Sequence, residues 1–476
     1  MIVPRSRLLI WVAVLVVPFL TIAAAVPGGA LLALTLVVLF VVLVLLDAAR
    51  AIGSLNDVSV ELPKVIRLSK DRAAKLELQI KCDPPREREI RLGLALPREI
   101  HSPAEDLFAQ LPAKSALSRV EWPCVPLRRG NYPLVRCHLE ASSPWGFWAV
   151  RGTTLVSSEL RVYPNLATEG RSVAALFLNR GAFGVHAQRQ VGKGRDFEKL
   201  REYTHGDSYD EIHWKATAKR GKPVTKVFQI ERTQEVYVIV DASRLSARPA
   251  GQGKCSVFSN QSSVRSGGLG ADGRAEAGLN TEHGLLNTTS VLERYLTAAL
   301  VLGLAAERQG DLFGLLTFSD KVLNFVRAKN GKAHYSACRD AIYTLHPQTV
   351  SPDFDELASF IRLRLRKRAL LVFLTALDDP VLAESFVRNM DLICRQHLIL
   401  VNMMQPPGVQ PLFSDPNVES LDSVYRQLGG HVLWHNLREL EKVLKNRGVR
   451  FSLVNHERLS AQLVTQYLGV KQRQLL

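Results

Sequence analysis

The residues of this chain whose types and spacing could do chemistry gather in two places. The first runs from Arg195 to Lys215, where Arg195, Asp196, Arg201, Tyr203, His205, Asp207, His213, Trp214 and Lys215 set both signs of charge among aromatics. An imidazole beside a carboxylate is the equipment of general acid–base hydrolysis. His205, Asp207 and His213 would carry it, or would hold a metal with Asp210 and Glu211 between them. An i, i+8 pair of histidines is not a ligand spacing that singles out zinc, however. Gly192-Lys193-Gly194 lacks both the third glycine of a dinucleotide turn and the Gly-Lys-Ser/Thr ending of a phosphate loop. Neither an HExxH helix nor a GxSxG elbow occurs. The reading that remains is a charged hydrogen-bond network or a docking face for a partner, and no catalytic residue is assigned.

The second place is Asp241-Ala242-Ser243-Arg244-Leu245-Ser246. It resembles the Asp-x-Ser-x-Ser metal-ion-dependent adhesion motif of von Willebrand A domains, where hard oxygens hold Mg²⁺. Asp241 and Ser243 are the candidate ligands. Leu245 occupies the third ligand position, and Ser246 comes one residue late. The later Thr-Asp of such domains reads Thr375-Ala376, with Asp378 and Asp379 just beyond to compensate. The competing role for this pair is structural: Asp241 caps the turn and Ser243 bonds backbone. No cofactor is required by this reading, with Mg²⁺ the one ion the motif would take.

The elements that must position these residues follow from hydrophobic periodicity. Glu235 to Asp241 is a nearly continuous apolar run, as in a strand buried on both faces. Helical patterns at 291–308, 353–368, 382–395 and 437–445 alternate with strand patterns at 312–318, 369–375, 397–403 and 450–454, and a last helix starts at Leu459. Alternation of this kind predicts an α/β domain over 235–476 with a mainly parallel sheet. Its ligands should bind beyond the carboxyl ends of the strands, where Asp241 stands. Residues 249–287, rich in Gly, Ser and Asn, read as a flexible insertion after that loop. Arg362 to Arg368 carries five cations at a helix end and no interleaved aromatic, which favours a solvated helix terminus over nucleic-acid binding.

Upstream, residues 54–165 alternate with period two between turn residues and predict an immunoglobulin-like β-sandwich acting as a spacer. Residues 166–234 form the segment around the first cluster. Residues 1–50 carry two uncharged apolar runs, Leu8 to Ala25 and Ala30 to Leu46, divided by Val26-Pro27-Gly28-Gly29. Each approaches the roughly 20 residues that cross a bilayer, so a transmembrane hairpin is expected. A signal peptide is the competing reading of the first run. Arg5 and Arg7 before the hairpin, and Arg50, Lys64 and Arg67 after it, put both ends on the cytoplasmic side. The formal charge of +16 suits anionic membrane lipid. Six scattered cysteines without a CxxC pair argue against a disulfide scaffold or zinc site, although Cys124 and Cys137 could meet across neighbouring strands.

The cluster from Gly194 onwards is similar to the signature of the bacterial domain-of-unknown-function family fifty-eight. The matching residues are Gly194, Asp196, Phe197, Leu200, Arg201, Tyr203, Gly206, Asp207, Ile212, Trp214, Lys215, Ala218 and Gly221. Arg128-Arg129-Gly130, Ser143-Pro144-Trp145-Gly146 and the paired apolar runs resemble the family upstream of it. The resemblance implies a multidomain, membrane-anchored chain ending in a von Willebrand A-like domain. It also implies gene neighbourhood with MoxR-type AAA+ ATPases and no established enzymatic activity. The expectation is therefore a non-enzymatic interaction adaptor on the bacterial inner membrane, with its soluble domains in the cytoplasm and a MoxR-type ATPase as partner. Two alternatives stand beside it: a hydrolase or metal-dependent enzyme using His205, Asp207 and His213, and a basic nucleic-acid binder, which the patterning does not favour.

Overall fold

The computed structural model describes residues 1–19, 21, 30–84, 87–113, 115–166, 191–204, 207–229, 234–250, 289–412, 414 and 421–473. They divide into two units, with the chain passing from one to the other between Asn165 and Leu166.

The first unit is a two-sheet β domain with apolar helices at its start. Alternation of side chains decides its geometry: in β4 (Ala74–Cys82), Leu76, Leu78 and Ile80 point inward while Lys75, Glu77 and Lys81 point out. One sheet runs β2 (Val58–Glu61), β4, β8 (Leu117–Pro126) and β6 (Ile100–His101). The other runs β1 (Ile2–Pro4), β10 (Trp148–Tyr163), β9 (Gly130–Ser142), β5 (Arg88–Leu94) and β7 (Leu107–Leu111). A further strand, β3 (Val65–Ser69), lies parallel to β10. Leu76, Leu78 and Ile80 of one sheet share a core with Ile90, Leu139 and Leu160 of the other. Cys124 and Cys137 remain free thiols in it, each pushed up to about 11 by burial.

Among the described residues one helix is long and apolar enough to cross a membrane. It is α2 (Ala30–Ala51), with mean hydropathy 2.4 over Leu34–Ala51. At 1.5 Å per residue it measures about 33 Å. The first apolar run forms a shorter helix, Ser6–Phe19, which opens as α1 (Ser6–Trp11). The remainder of that run and the Pro27-Gly28-Gly29 break fall largely outside the described residues.

The second unit begins with a two-stranded ribbon, β11 (Val191–Glu202) against β12 (Val224–Gln229), with α3 (Trp214–Arg220) between them in sequence. Beyond it lies a six-stranded sheet. Its order is β15 (Val322–Lys329), β14 (Leu312–Phe318), β13 (Glu235–Asp241), β16 (Leu370–Leu374), β17 (Leu398–Met404) and β18 (Arg450–Val454). Every neighbouring pair is parallel except β14–β15. Numbered within this sheet the order is 3-2-1-4-5-6, the doubly wound arrangement whose crevice opens where strands 1 and 4 part. The central strands are buried on both faces, as their unbroken apolar runs require. One face carries α4 (Val291–Arg308) and α9 (Leu459–Gln472), with Leu296, Leu300 and Tyr467 in its core. The other carries α6 (Phe354–Arg364), α7 (Pro380–Ile393) and α8 (Leu421–Asn446).

Three details differ from the periodicity. Strand β15 and helix α5 (Lys332–Ile342) were not foreseen, because an edge strand with a half-buried pattern shows neither clear alternation nor an apolar run. The helix expected over 353–368 stops at Arg364: Asp353 is its N-cap, and Leu365 is extended and buried. Helix α8 starts far earlier than residue 437: Leu421, Val424, Tyr425 and Leu428 fall at helical spacing but are exposed, and Gly429-Gly430 interrupts the pattern after them.

Candidate functional site

Asp241 ends β13 at the crevice, fully buried. Its Oδ1 accepts from the Ser243 N–H at 2.8 Å, and its Oδ2 accepts from the Thr375 hydroxyl at 2.7 Å. Ser243 is also buried. It caps a short 3₁₀ turn, Arg244–Ala247, its Oγ accepting from the Leu245 N–H at 3.4 Å. The Ser246 hydroxyl turns back to the Ser243 carbonyl at 2.8 Å. Backbone bonds then stitch the loop to its neighbours: Ala242 N–H to Phe318 O, Gln348 N–H to Ala242 O and Arg244 N–H to Val350 O. Burial pushes the Asp241 carboxyl up from the usual carboxylate range, against the hydrogen bonds that lower it.

These donors do not fit a divalent ion. Both Asp241 oxygens already accept hydrogen bonds, and Leu245 fills the third ligand position with a buried alkyl group. Neither later carboxylate compensates. Asp378 is ion-paired to Arg248 at 2.5 Å, and Asp379 caps α7 by accepting from Val381 N–H at 3.0 Å. Among the described residues no cluster of three or more His, Cys, Asp or Glu side chains could hold a metal. The pair the motif singled out, Asp241 and Ser243, is thus brought together by the fold as a structural latch. Thr375 is the partner that spacing alone did not assign to them.

Beside the latch, the loops after β13, β16, β17 and β18 enclose a cavity of about 450 Å³. Arg248, Tyr295, Met404, Gln405, His456 and Glu457 are among its lining. Tyr295 braces two strand ends: its hydroxyl donates to Thr375 O at 3.1 Å and accepts from Met404 N–H at 3.4 Å. Ala250 N–H meets Thr289 O at 2.8 Å, so the insertion leaves and returns at one point; its interior lies outside the described residues.

The cluster around Arg201 is built differently. Arg201 Nη2 donates to Asp207 Oδ1 at 2.5 Å, and the other Asp207 oxygen accepts the Thr204 N–H at 3.1 Å. Tyr203 stacks on Tyr209 with ring centroids 6.1 Å apart. His213 is the N-cap of α3: its Nδ1 accepts from Ala216 N–H at 3.0 Å, while its backbone N–H donates to Val224 O. Gly221 ends the helix in the left-handed conformation, φ +67°, which a glycine adopts without a steric penalty. With its frame bonded in this way, the segment leaves Trp214 70% exposed and Tyr209 75% exposed, with Lys215, Lys219 and Arg220 on the same short helix. Arg195 and Asp196 stand on β11, Asp196 opposite Gln229. His205 lies outside the described residues.

Comparison with known proteins now identifies the region. The family described as "Protein of unknown function DUF58" matches residues 199–254 and 286–410. This chain carries a DUF58 domain. The match takes in the end of β11, α3, β12 and the sheet from β13 to β17; Gly194, Asp196 and Phe197 lie before it, and the gap in it falls within the insertion. No curated protein sequence matches the chain. Among solved structures, BatB from Bacteroides thetaiotaomicron is 12% identical, covering 50% of this chain and 99% of its own at a TM-score of 0.29. An aerotolerance-related membrane protein from Bacteroides fragilis NCTC 9343 is 10% identical, covering 49% and 100% at 0.27. The SpRpn10 VWA domain is 8% identical, covering 49% and 95%, also at 0.27. At these scores the architecture of the DUF58 chain rests on its own strand order.

Proposed function

We propose that this DUF58 protein is a membrane-tethered interaction adaptor, not an enzyme, whose docking face is the signature segment around Trp214 and Tyr209. The observation that carries the reading is a contrast in use. Arg201, Asp207 and His213 of the segment are engaged in structural hydrogen bonds, while Trp214 and Tyr209 stay exposed. Large aromatics flanked by cations are the side chains that dominate protein interfaces, and a rigid frame lowers the entropy cost of docking. The cations favour a partner with an acidic surface. Family association points to a MoxR-type AAA+ ATPase as that partner.

In this reading α2 and the shorter helix before it form a transmembrane hairpin in the bacterial inner membrane, and the β domain is an immunoglobulin-like spacer within a von Willebrand A-like chain. Strand β1, which precedes the first apolar helix, pairs with β10, which follows the second. Both ends of the hairpin therefore belong on one side, which the basic flanks make the cytoplasm. A photocrosslinking residue at Trp214 in the full chain, irradiated in native membranes, should capture an AAA+ ATPase, and Tyr209→Ala should reduce the capture. Capture of no ATPase, with equal labelling by the same residue at exposed Leu363, would overturn the partner reading.

A further inference from the structure

Two segments far apart in sequence meet at one turn of the β domain, Ser143-Pro144-Trp145-Gly146-Phe147-Trp148, which joins β9 to β10. The turn grips the end of α2. Asp47 is fully buried there; its Oδ2 accepts from the Ser143 hydroxyl at 2.6 Å and its Oδ1 from the Trp145 N–H at 3.1 Å. The Trp148 indole donates to the Val44 carbonyl at 3.0 Å, and Phe147 packs edge-on against Phe40. The same turn receives the start of the chain. Arg5 donates from its backbone N–H to Phe147 O at 2.9 Å and from Nη1 to Ser142 Oγ at 2.6 Å. Gly146, at φ +77°, holds a backbone conformation that favours glycine, and a Cβ there would sit 3.2 Å from Arg7 Nη1. Arg50 lies over the Trp145 ring at 5.6 Å. Three arginines thus meet one turn, with Arg50 over its indole, which is 41% exposed. Among the described residues no carboxylate forms an ion pair with Arg5, Arg7 or Arg50, and the oxygens of Asp47 are turned into the latch.

We propose that Arg5, Arg7, Arg50 and Trp145 form a binding site for the phosphate headgroup of anionic phospholipid, assembled by this turn where the apolar helices end. The inference rests on the transmembrane reading above and adds to it a lipid class and the residues that select it. A helix of hydrocarbon length places its charged end at headgroup depth. An indole favours that interface, and guanidinium forks match phosphate oxygens. The buried Asp47 latch makes the geometry specific, because it fixes the turn to the helix end instead of leaving the arginines on independent segments.

The test uses the full chain in vesicles of phosphatidylcholine and phosphatidylglycerol, with acyl chains brominated near the headgroup on one lipid at a time. Trp145 emission is taken as the difference between the protein and Trp145→Phe. Brominated phosphatidylglycerol should quench it more than brominated phosphatidylcholine at equal mole fraction, reflecting enrichment of roughly fivefold per arginine. Arg5→Gln/Arg7→Gln/Arg50→Gln should abolish the excess, and the corresponding lysine variant should keep part of it. If the triple variant does not fold, Arg7→Gln/Arg50→Gln, which changes only exposed side chains, serves in its place. Equal quenching by the two lipids, in protein that resists alkaline carbonate extraction, overturns the headgroup site and leaves the transmembrane reading intact. Extraction by carbonate overturns both.

Discussion

The Asp241 loop and the Arg201–Lys215 segment look alike as sequence: both set a carboxylate near hydroxyls or imidazoles. In the fold they are opposites. At Asp241 the carboxylate, Ser243 and Thr375 are buried and bonded to one another and to the loop backbone. Around Arg201 the Asp207 pair and the His213 cap are bonded as well, but Tyr209 and Trp214 beside them stand in solvent. The lesson is that residue type locates a polar site, whereas exposure of what surrounds it decides whether it acts outward.

Substitutions can break that contrast. Asp241→Ala should have the largest effect on stability, about 2–4 kcal/mol, because it strands the Ser243 N–H and the Thr375 hydroxyl in a buried place; urea melts of the full chain in detergent would measure it. Mg²⁺ should not raise the melting point of the protein, since ion binding to the folded state alone would. A rise that Asp241→Ala removes would restore the metal reading.

The same carboxyl predicts a pH dependence. Its folded pKa is raised above its unfolded one, so its contribution is full below the ordinary carboxylate range and is lost as pH rises toward the folded value. The difference in stability between the protein and Asp241→Asn should therefore shrink or reverse as pH climbs from that range. A pH-independent difference would contradict the assignment.

Smaller effects belong to the signature segment. Asp207→Asn should cost about 1 kcal/mol, because the Arg201 partner is partly exposed and screened. His213→Ala should cost about 1 kcal/mol through loss of the α3 cap, and His213→Asn should recover most of it, as asparagine caps well. An imidazole needed for catalysis would not be rescued in this way. Smallest of all, Trp214→Ala and Tyr209→Ala should change stability by less than about 0.5 kcal/mol. They should nonetheless weaken partner capture more than Asp241→Ala does in protein that remains folded.

Much of the fold was legible because period carries it. The strands of the β domain show as alternation, β13, β16 and β17 as apolar runs, and the apolar helix before Ala51 as unbroken hydropathy. Strand β15 was not, since an edge strand is half-covered and its pattern blurs. The candidate site was legible only as a roster of residues. That Thr375 closes on Asp241 from 134 positions away, or that Ser143 latches Asp47 from 96, is recorded in no local pattern.

By itself the sequence determined the classes of element, their order and the family signature, because these follow from backbone periodicity and residue type within a few turns of chain. Tertiary structure alone decided which polar groups are satisfied and which faces remain open. The physical reason is that burial and hydrogen bonding depend on partners the chain supplies from far away. Asp241 and Trp214 therefore acquire opposite roles only once the strands and helices around them are packed.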